Sequence, residues 1–127
     1  MEVALDTNAL VDFAAGSEVL SEVLAPFRSL ALPVTVLGEY RYGLLDSKKH
    51  ARLNDWLVEL LSEVRVLETT ERTTVVYAKI RRQLRAAGTP IPENDVWIAA
   101  AAIEHSLPLA TRDKHFKLVR GLEVVSW

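Results

Sequence analysis

The side chains able to do chemistry in this sequence are carboxylates set beside apolar runs. Asp6 ends the stretch EVALD (2–6), and Glu39 lies within TVLGEYRYGLLD (35–46). Asp95 opens the run VWIAAAAI, and Asp113 sits in TRDKHF (111–116). Asp95 is the most demanding of the four. At 3.6 residues per turn it shares a helix face with Ile98, Ala99, Ala102 and Ile103. A helix apolar on every side is normally a buried one. A carboxylate buried there without a partner costs several kcal/mol or takes up a proton. Four acids brought to one place would repel and raise one another's pKa values. A divalent cation reverses that cost, and Mg²⁺ and Mn²⁺ prefer hard oxygen ligands. Such an ion also activates water and stabilises the attacking and leaving oxygens of a phosphodiester under cleavage.

Each acid has an ordinary role that competes with this one. Asp6 would cap the following helix together with Thr7 or Asn8. Glu39, at the edge of the stripe Val36, Leu37, Tyr40 and Leu44, would simply be solvated. Asp95, following Asn94 as the expected cap, gains from the helix dipole. Asp113 would make a turn. Other catalytic sets are missing. His50, His105 and His115 have no metal-ligand spacing among themselves and read as surface or helix-end residues. There is no glycine-rich phosphate loop and no G-x-S-x-G elbow. An aspartyl phosphotransferase would want a second acid two residues after Asp6, where Asn8 stands.

The elements that must position these residues alternate in type. Short apolar runs at 2–6, 29–34, 64–68, 107–110 and 122–126 read as strands. Between them 8–16, 17–27 (opened by Ser17), 35–46 (capped by Thr35), 49–64, 71–88 (ended by Gly88) and 95–105 read as helices, with TRDKHF as a loop. Five strands separated by helices predict an α/β domain over 1–127, with a parallel sheet and helices on both faces. In such sheets ligands bind beyond the carboxyl ends of the strands, near the switch in strand order. All four acids stand at or near strand–helix junctions.

The bulk numbers narrow the class. The chain has 127 residues, half of them hydrophobic, with 15 basic and 17 acidic residues and a net charge of −2. That balance does not advertise a nucleic-acid binder, and it leaves room for a local basic stripe. No cysteine rules out disulfides and thiolate metal sites and suits a reducing cytoplasm. No signal peptide or membrane span is expected.

LDTNALVDF (5–13), GEYRYG (38–43), NDVWIAAAA (94–102), LATRDKHF (109–116) and LEVVSW (122–127) together resemble the PIN-domain ribonucleases, most closely the VapC-type toxins of toxin–antitoxin pairs. The resemblance runs the whole length, in order and at the usual spacings. It implies a Rossmann-like sheet and a Mg²⁺- or Mn²⁺-dependent endoribonuclease. The family's acids fall on Asp6, Glu39, Asp95 and Asp113, with Asp6, Asp95 and Asp113 as metal ligands. Its supporting polar residues fall on Asn8 and Thr111. Tyr40 replaces the usual Leu after the helical Glu, and Gly43 matches. Many relatives lack an acid near the fourth position.

The resemblance further implies an RNA substrate, a homodimer and a small antitoxin whose C-terminal segment covers the toxin and places a basic residue among the acids. KIRRQLR (79–85) puts Lys79 with Arg82 beside an apolar face, where an RNA backbone would lie; a solvated helix face is the competing role. Arg41 and Arg112 stand within a few residues of the acids and would steady a phosphate or balance charge. Tyr40, Leu44, Leu45, Trp56 and Leu60 would serve a partner contact or, more in keeping with periodic stripes, the core. A nuclease of RNA or DNA processing and a catalytically silent binding module are the alternatives to a toxin.

Overall fold

A computed structural model describes residues 1–127. Five strands form one sheet: β1 (Glu2–Leu5), β2 (Ser29–Pro33), β3 (Arg65–Leu67), β4 (Leu109–Ala110) and β5 (Val124–Val125). Their order is β3-β2-β1-β4-β5, and every pairing is parallel. β1 is the centre: Ala4 is in register with Ala31 on one side and Leu109 on the other. The chain steps one way from β1 to β3, then returns to β4 on the far side of β1. The strand order therefore switches between β1 and β4, the place where an open parallel sheet offers a ligand crevice.

Six helices cover the sheet: α1 (Thr7–Ala14), α2 (Glu18–Leu24), α3 (Val34–Leu44), α4 (His50–Leu61), α5 (Glu71–Ala86) and α6 (Glu93–Glu104). α1 packs on α2 and α3, α3 packs on α4, and α5 packs on α6. The right-handed sense of parallel crossovers sends α1–α4 to one face and α5–α6 to the other. No helix is long and apolar enough to cross a membrane.

Val3, Ala4 and Leu5 are all fully buried, as expected of a central strand covered on both faces. α6 is apolar all round because it is surrounded: it touches α5, α3 and β2, and its residues 98–102 are all buried. Four consecutive alanines there let neighbouring backbones come close. Each fully enclosed leucine, such as Leu5, Leu10, Leu32 or Leu57, contributes about 1.5–3 kcal/mol of burial.

Several boundaries differ from the sequence expectation, each for a local reason. Thr35 is not the cap of α3. The helix starts at Val34, and Pro33, with φ −56°, both ends β2 and opens the helix. Asn94 is not the cap of α6 either; that position falls on Pro92, and Asp95 lies within the first turn. β4 is shorter than 107–110 because the Leu107 N–H closes the end of α6 on the Ala102 carbonyl at 2.9 Å. The TRDKHF loop is partly helical, as Lys114–Leu118 forms a 3₁₀ turn capped by Asp113. Ser17 does cap α2, accepting the Leu20 N–H at 3.3 Å. Gly88, at φ +70°, ends α5 where the Thr89 N–H bonds the Leu84 carbonyl, a turn that needs a left-handed residue.

Candidate metal and active site

Asp6 is the first residue after β1, in extended conformation (φ −78°, ψ 170°), and its side chain makes no capping bond to α1. It faces the switch point and is only 4% exposed. Its Oδ2 accepts hydrogen bonds from Thr111 Oγ1 at 2.7 Å and Asn8 Nδ2 at 2.9 Å. Thr111, fully buried, follows β4 directly, and its Oγ1 accepts the Asp113 N–H at 3.0 Å. Asn8 Oδ1 accepts the Arg112 N–H at 3.1 Å. These bonds tie the loop after β4 to the start of α1, so the residues after the two central strands form one polar network.

Asp95 reaches the same place from the first turn of α6, with its side chain 14% exposed. Asp113 contributes from the loop after β4, where its carboxylate accepts the His115 N–H at 2.9 Å. Glu39 is half-buried on α3 and accepts the Thr7 hydroxyl at 3.1 Å. Thr7 had a role in the sequence only as a helix cap; here it orients an acid from across the cleft.

The electrostatics report the crowding. Burial raises the Asp6 pKa above its ordinary value; the Thr111 hydrogen bond opposes this and the Asp113 charge adds to it. Asp95 is pushed up to about 6, first by burial, then by the charges of Asp6 and Asp113, with Glu39 adding and the His115 contact opposing. Acids from four separate segments thus act on one another.

His115 stands on the surface in the first turn of the 3₁₀ helix, in keeping with the sequence expectation of a surface or helix-end residue. It is half exposed, yet its Nδ1 lies 3.1 Å from Asp113 Oδ1 and 3.5 Å from Asp95 Oδ2. Spacing among the three histidines carries no signal for this contact, because the partners of His115 are acids 2 and 20 positions away in sequence. One potential ligand atom each from Asp95, Asp113 and His115 lie within 4.8 Å of one another. Two carboxylates and an imidazole nitrogen, with a third carboxylate close behind, form a donor set that suits a divalent transition metal or Mg²⁺.

The predicted basic residues lie apart from this cluster. Arg112 pairs with Asp12 at 3.3 Å and covers the Trp127 ring. Arg41 donates to Asn54 Oδ1 at 3.4 Å. Lys79 and Arg82 are exposed on α5, lining a shallow depression with Gln83 and Ala86. Tyr40, Leu44 and Leu60 belong to the core, Trp56 packs against it, and Leu45 is 68% exposed. A groove of about 360 Å³ runs from Thr7 and Glu39 between α1, α3 and α4, past Val11, Tyr40, Leu53 and Arg52. It opens beside the acids and is mostly apolar.

The PIN domain family model matches residues 3–122. The chain is 32% identical to the ribonuclease VapC2 of Rickettsia felis over 107 residues, 84% of this chain and 80% of that one. It is 31% identical to the ribonuclease VapC5 of Mycobacterium tuberculosis over 121 residues, 92% of this chain and 87% of that one. Among solved structures it is similar to a chain of VapBC2 from Rickettsia felis bound to a DNA fragment from their promoter. That match has a TM-score of 0.88 and 30% identity, covering 100% of this chain and 99% of that one.

Proposed function

This chain belongs to the PIN-domain family, among its VapC ribonucleases, and we propose that it is the toxin of a toxin–antitoxin pair, an endoribonuclease that cleaves RNA phosphodiester bonds with a divalent cation. The observation that carries the proposal is the convergence of Asp6, Glu39, Asp95 and Asp113 on one crevice, close enough that Asp95 feels the charge of all three others. So much buried like charge is unfavourable on its own and becomes favourable around a cation. Asp6, Asp95 and Asp113 would hold Mg²⁺ or Mn²⁺, which supplies water activation and charge neutralisation at the scissile phosphate.

The chain's own groups do the positioning. Thr111 and Asn8 fix the Asp6 carboxylate from two sides, so that it cannot turn away from the crevice. Thr7 holds Glu39 toward the same space, where its carboxylate would accept a proton from an attacking water. Asp95 sits in the first turn of α6, where the helix dipole favours its ionised form. Lys79 and Arg82 supply a cationic stripe for the RNA backbone.

The partner is a small antitoxin, as the similarity to a VapBC complex supports. Its apolar segment would lie in the groove between α1, α3 and α4. That groove shares Thr7 and Glu39 with the acid cluster, so a basic side chain of the same segment would reach the carboxylates. The toxin is a cytoplasmic homodimer in this account. Induction of the chain in a bacterial host tests the whole proposal. The parent should arrest growth, Asp6→Asn should not, and co-expression of a cognate antitoxin should relieve the arrest. Equal arrest by parent and Asp6→Asn would contradict it.

A further inference from the structure

We propose that His115 Nδ1 is a protein ligand of the cation alongside Asp95 and Asp113, so that the site is a mixed nitrogen–oxygen one that takes Mn²⁺ in preference to Mg²⁺. The inference rests on the metal-dependent reading of the site and adds to it a ligand of a different chemical kind.

Spacing is the first support. Adjacent ligands of an octahedral ion bonded at about 2.1 Å lie about 3.0 Å apart. His115 Nδ1 stands 3.1 Å from Asp113 Oδ1 and 3.5 Å from Asp95 Oδ2, and the potential ligand atoms of the three residues lie within 4.8 Å of one another. A cation could therefore enter with only small side-chain shifts.

The second support is how the ring is held. The His115 N–H is bonded to the Asp113 carboxylate at 2.9 Å, within the 3₁₀ turn that Asp113 caps. Phe116, the next residue, is fully buried and anchors that turn in the core. The ring is thus presented from a fixed backbone, while its half exposure leaves room for an ion and its waters. Asp95, by contrast, has the His115 ring as its polar side-chain partner. The ring and the two carboxylates already share one small space.

The chemistry sets the metal preference. Mg²⁺ favours all-oxygen surroundings and gives up water reluctantly. Mn²⁺ accepts carboxylates and also an imidazole nitrogen, whose softer character suits later first-row metals. Replacing one oxygen ligand by nitrogen tilts the site toward Mn²⁺ without excluding Mg²⁺.

Pulsed electron paramagnetic resonance on the Mn²⁺-loaded chain tests this directly, with calorimetry of Mn²⁺ and Mg²⁺ binding beside it. The parent should show ¹⁴N modulation from a directly bound imidazole. His115→Gln should lose the modulation and lose Mn²⁺ affinity on the order of 10–100-fold, with Mg²⁺ affinity little changed. His105→Gln, a change at the other end of α6, should retain both signals. A parent that binds Mn²⁺ with no ¹⁴N modulation would overturn the nitrogen ligand and leave the carboxylate site standing. A parent that binds no divalent cation at all would overturn both. The parent spectrum alone decides between these, so the outcome does not depend on the variant folding.

Discussion

Asp95 carries a carboxylate that folding removes from water and sets near three like charges, which raises its pKa from 3.8 to about 6. The folded pKa lies above the unfolded one, so between these values the folded chain holds the extra proton. Stability contributed by this group is present at low pH, falls as pH rises from about 4 to about 6, and stays lost above that; with solvent screening the swing is on the order of 1–3 kcal/mol. Asp6, whose pKa is also raised, adds in the same direction. Asp95→Asn removes one source of this cost. The metal-free variant should be more stable than the parent at pH 7 by about 1–3 kcal/mol, with a shallower decline in melting temperature from pH 4 to 6. Added Mn²⁺ should raise the melting temperature of the parent at pH 7 and do much less for the variant. Thermal scans over pH, with and without the ion, measure both effects. A variant less stable than the parent without metal would mean that Asp95 is held by favourable contacts. Asp95 was legible in the sequence because a charge at the head of an apolar helix is conspicuous; Asp6, Glu39 and Asp113 stood out only by their places near strand ends and by the resemblance. His115 was not legible, because its meaning lies in a contact across the 3₁₀ turn and α6 that no spacing along the chain displays.

α6 works as an element because alanines let it sit between α5, α3 and β2 while its first turn projects Asp95 into the crevice. Ala99 and Ala102 are fully buried. Ala99→Leu would overpack this contact at a cost of about 1–3 kcal/mol, read by chemical denaturation, and would weaken Mn²⁺ binding by moving the first turn. Full Mn²⁺ affinity in a destabilised Ala99→Leu would uncouple the packing from the site. The far end of α6 is tied to α5 by the buried Thr73, which accepts the Thr70 N–H at 3.0 Å and donates to Glu104 at 2.5 Å. Thr73→Val keeps the shape and deletes both bonds, so it should cost about 1–3 kcal/mol with an unchanged m-value and unaltered metal affinity. Most helices were readable from 3.6-residue periodicity and the parallel sheet from the βαβ alternation, whereas the strand order, and with it the switch point between β1 and β4, is seen only in the fold. Helix starts just after Pro33 and Pro92 were not readable, because a proline opens a helix through its fixed φ and offers no side-chain cap to recognise. β4 was over-extended for the opposite reason: Leu107 is apolar enough for a strand, yet its N–H is used by the end of α6.

The whole molecule has a net charge of −2 and gathers four acids at its crevice, so under the proposed function an RNA would be drawn in against unfavourable charge. The exposed Lys79 and Arg82 on α5 are the cations to which the proposed function gives that task. Replacing both with Ala should raise KM, leave kcat within about twofold, and reduce the slope of log affinity against log salt by roughly 1.4 for single-stranded RNA. An unchanged salt slope would return that face to ordinary solvation. The surroundings of the basic side chains were the part least legible in the sequence, since Arg41 and Arg112, close to the acids along the chain, turn to Asn54 and Asp12. The central claim is that this fold assembles a metal-dependent ribonuclease from acids on separate elements, and RNA cleavage by the purified parent beside Asp95→Asn tests it most directly. Transfer RNA and other structured RNAs would be incubated with each protein in Mn²⁺, in Mg²⁺ and in chelator. The account predicts cleavage by the parent in either ion, none in chelator, and a loss of at least about 100-fold in Asp95→Asn, the size of a missing group that acts on the transition state. Equal cleavage by both proteins, or cleavage that persists in chelator, would contradict it.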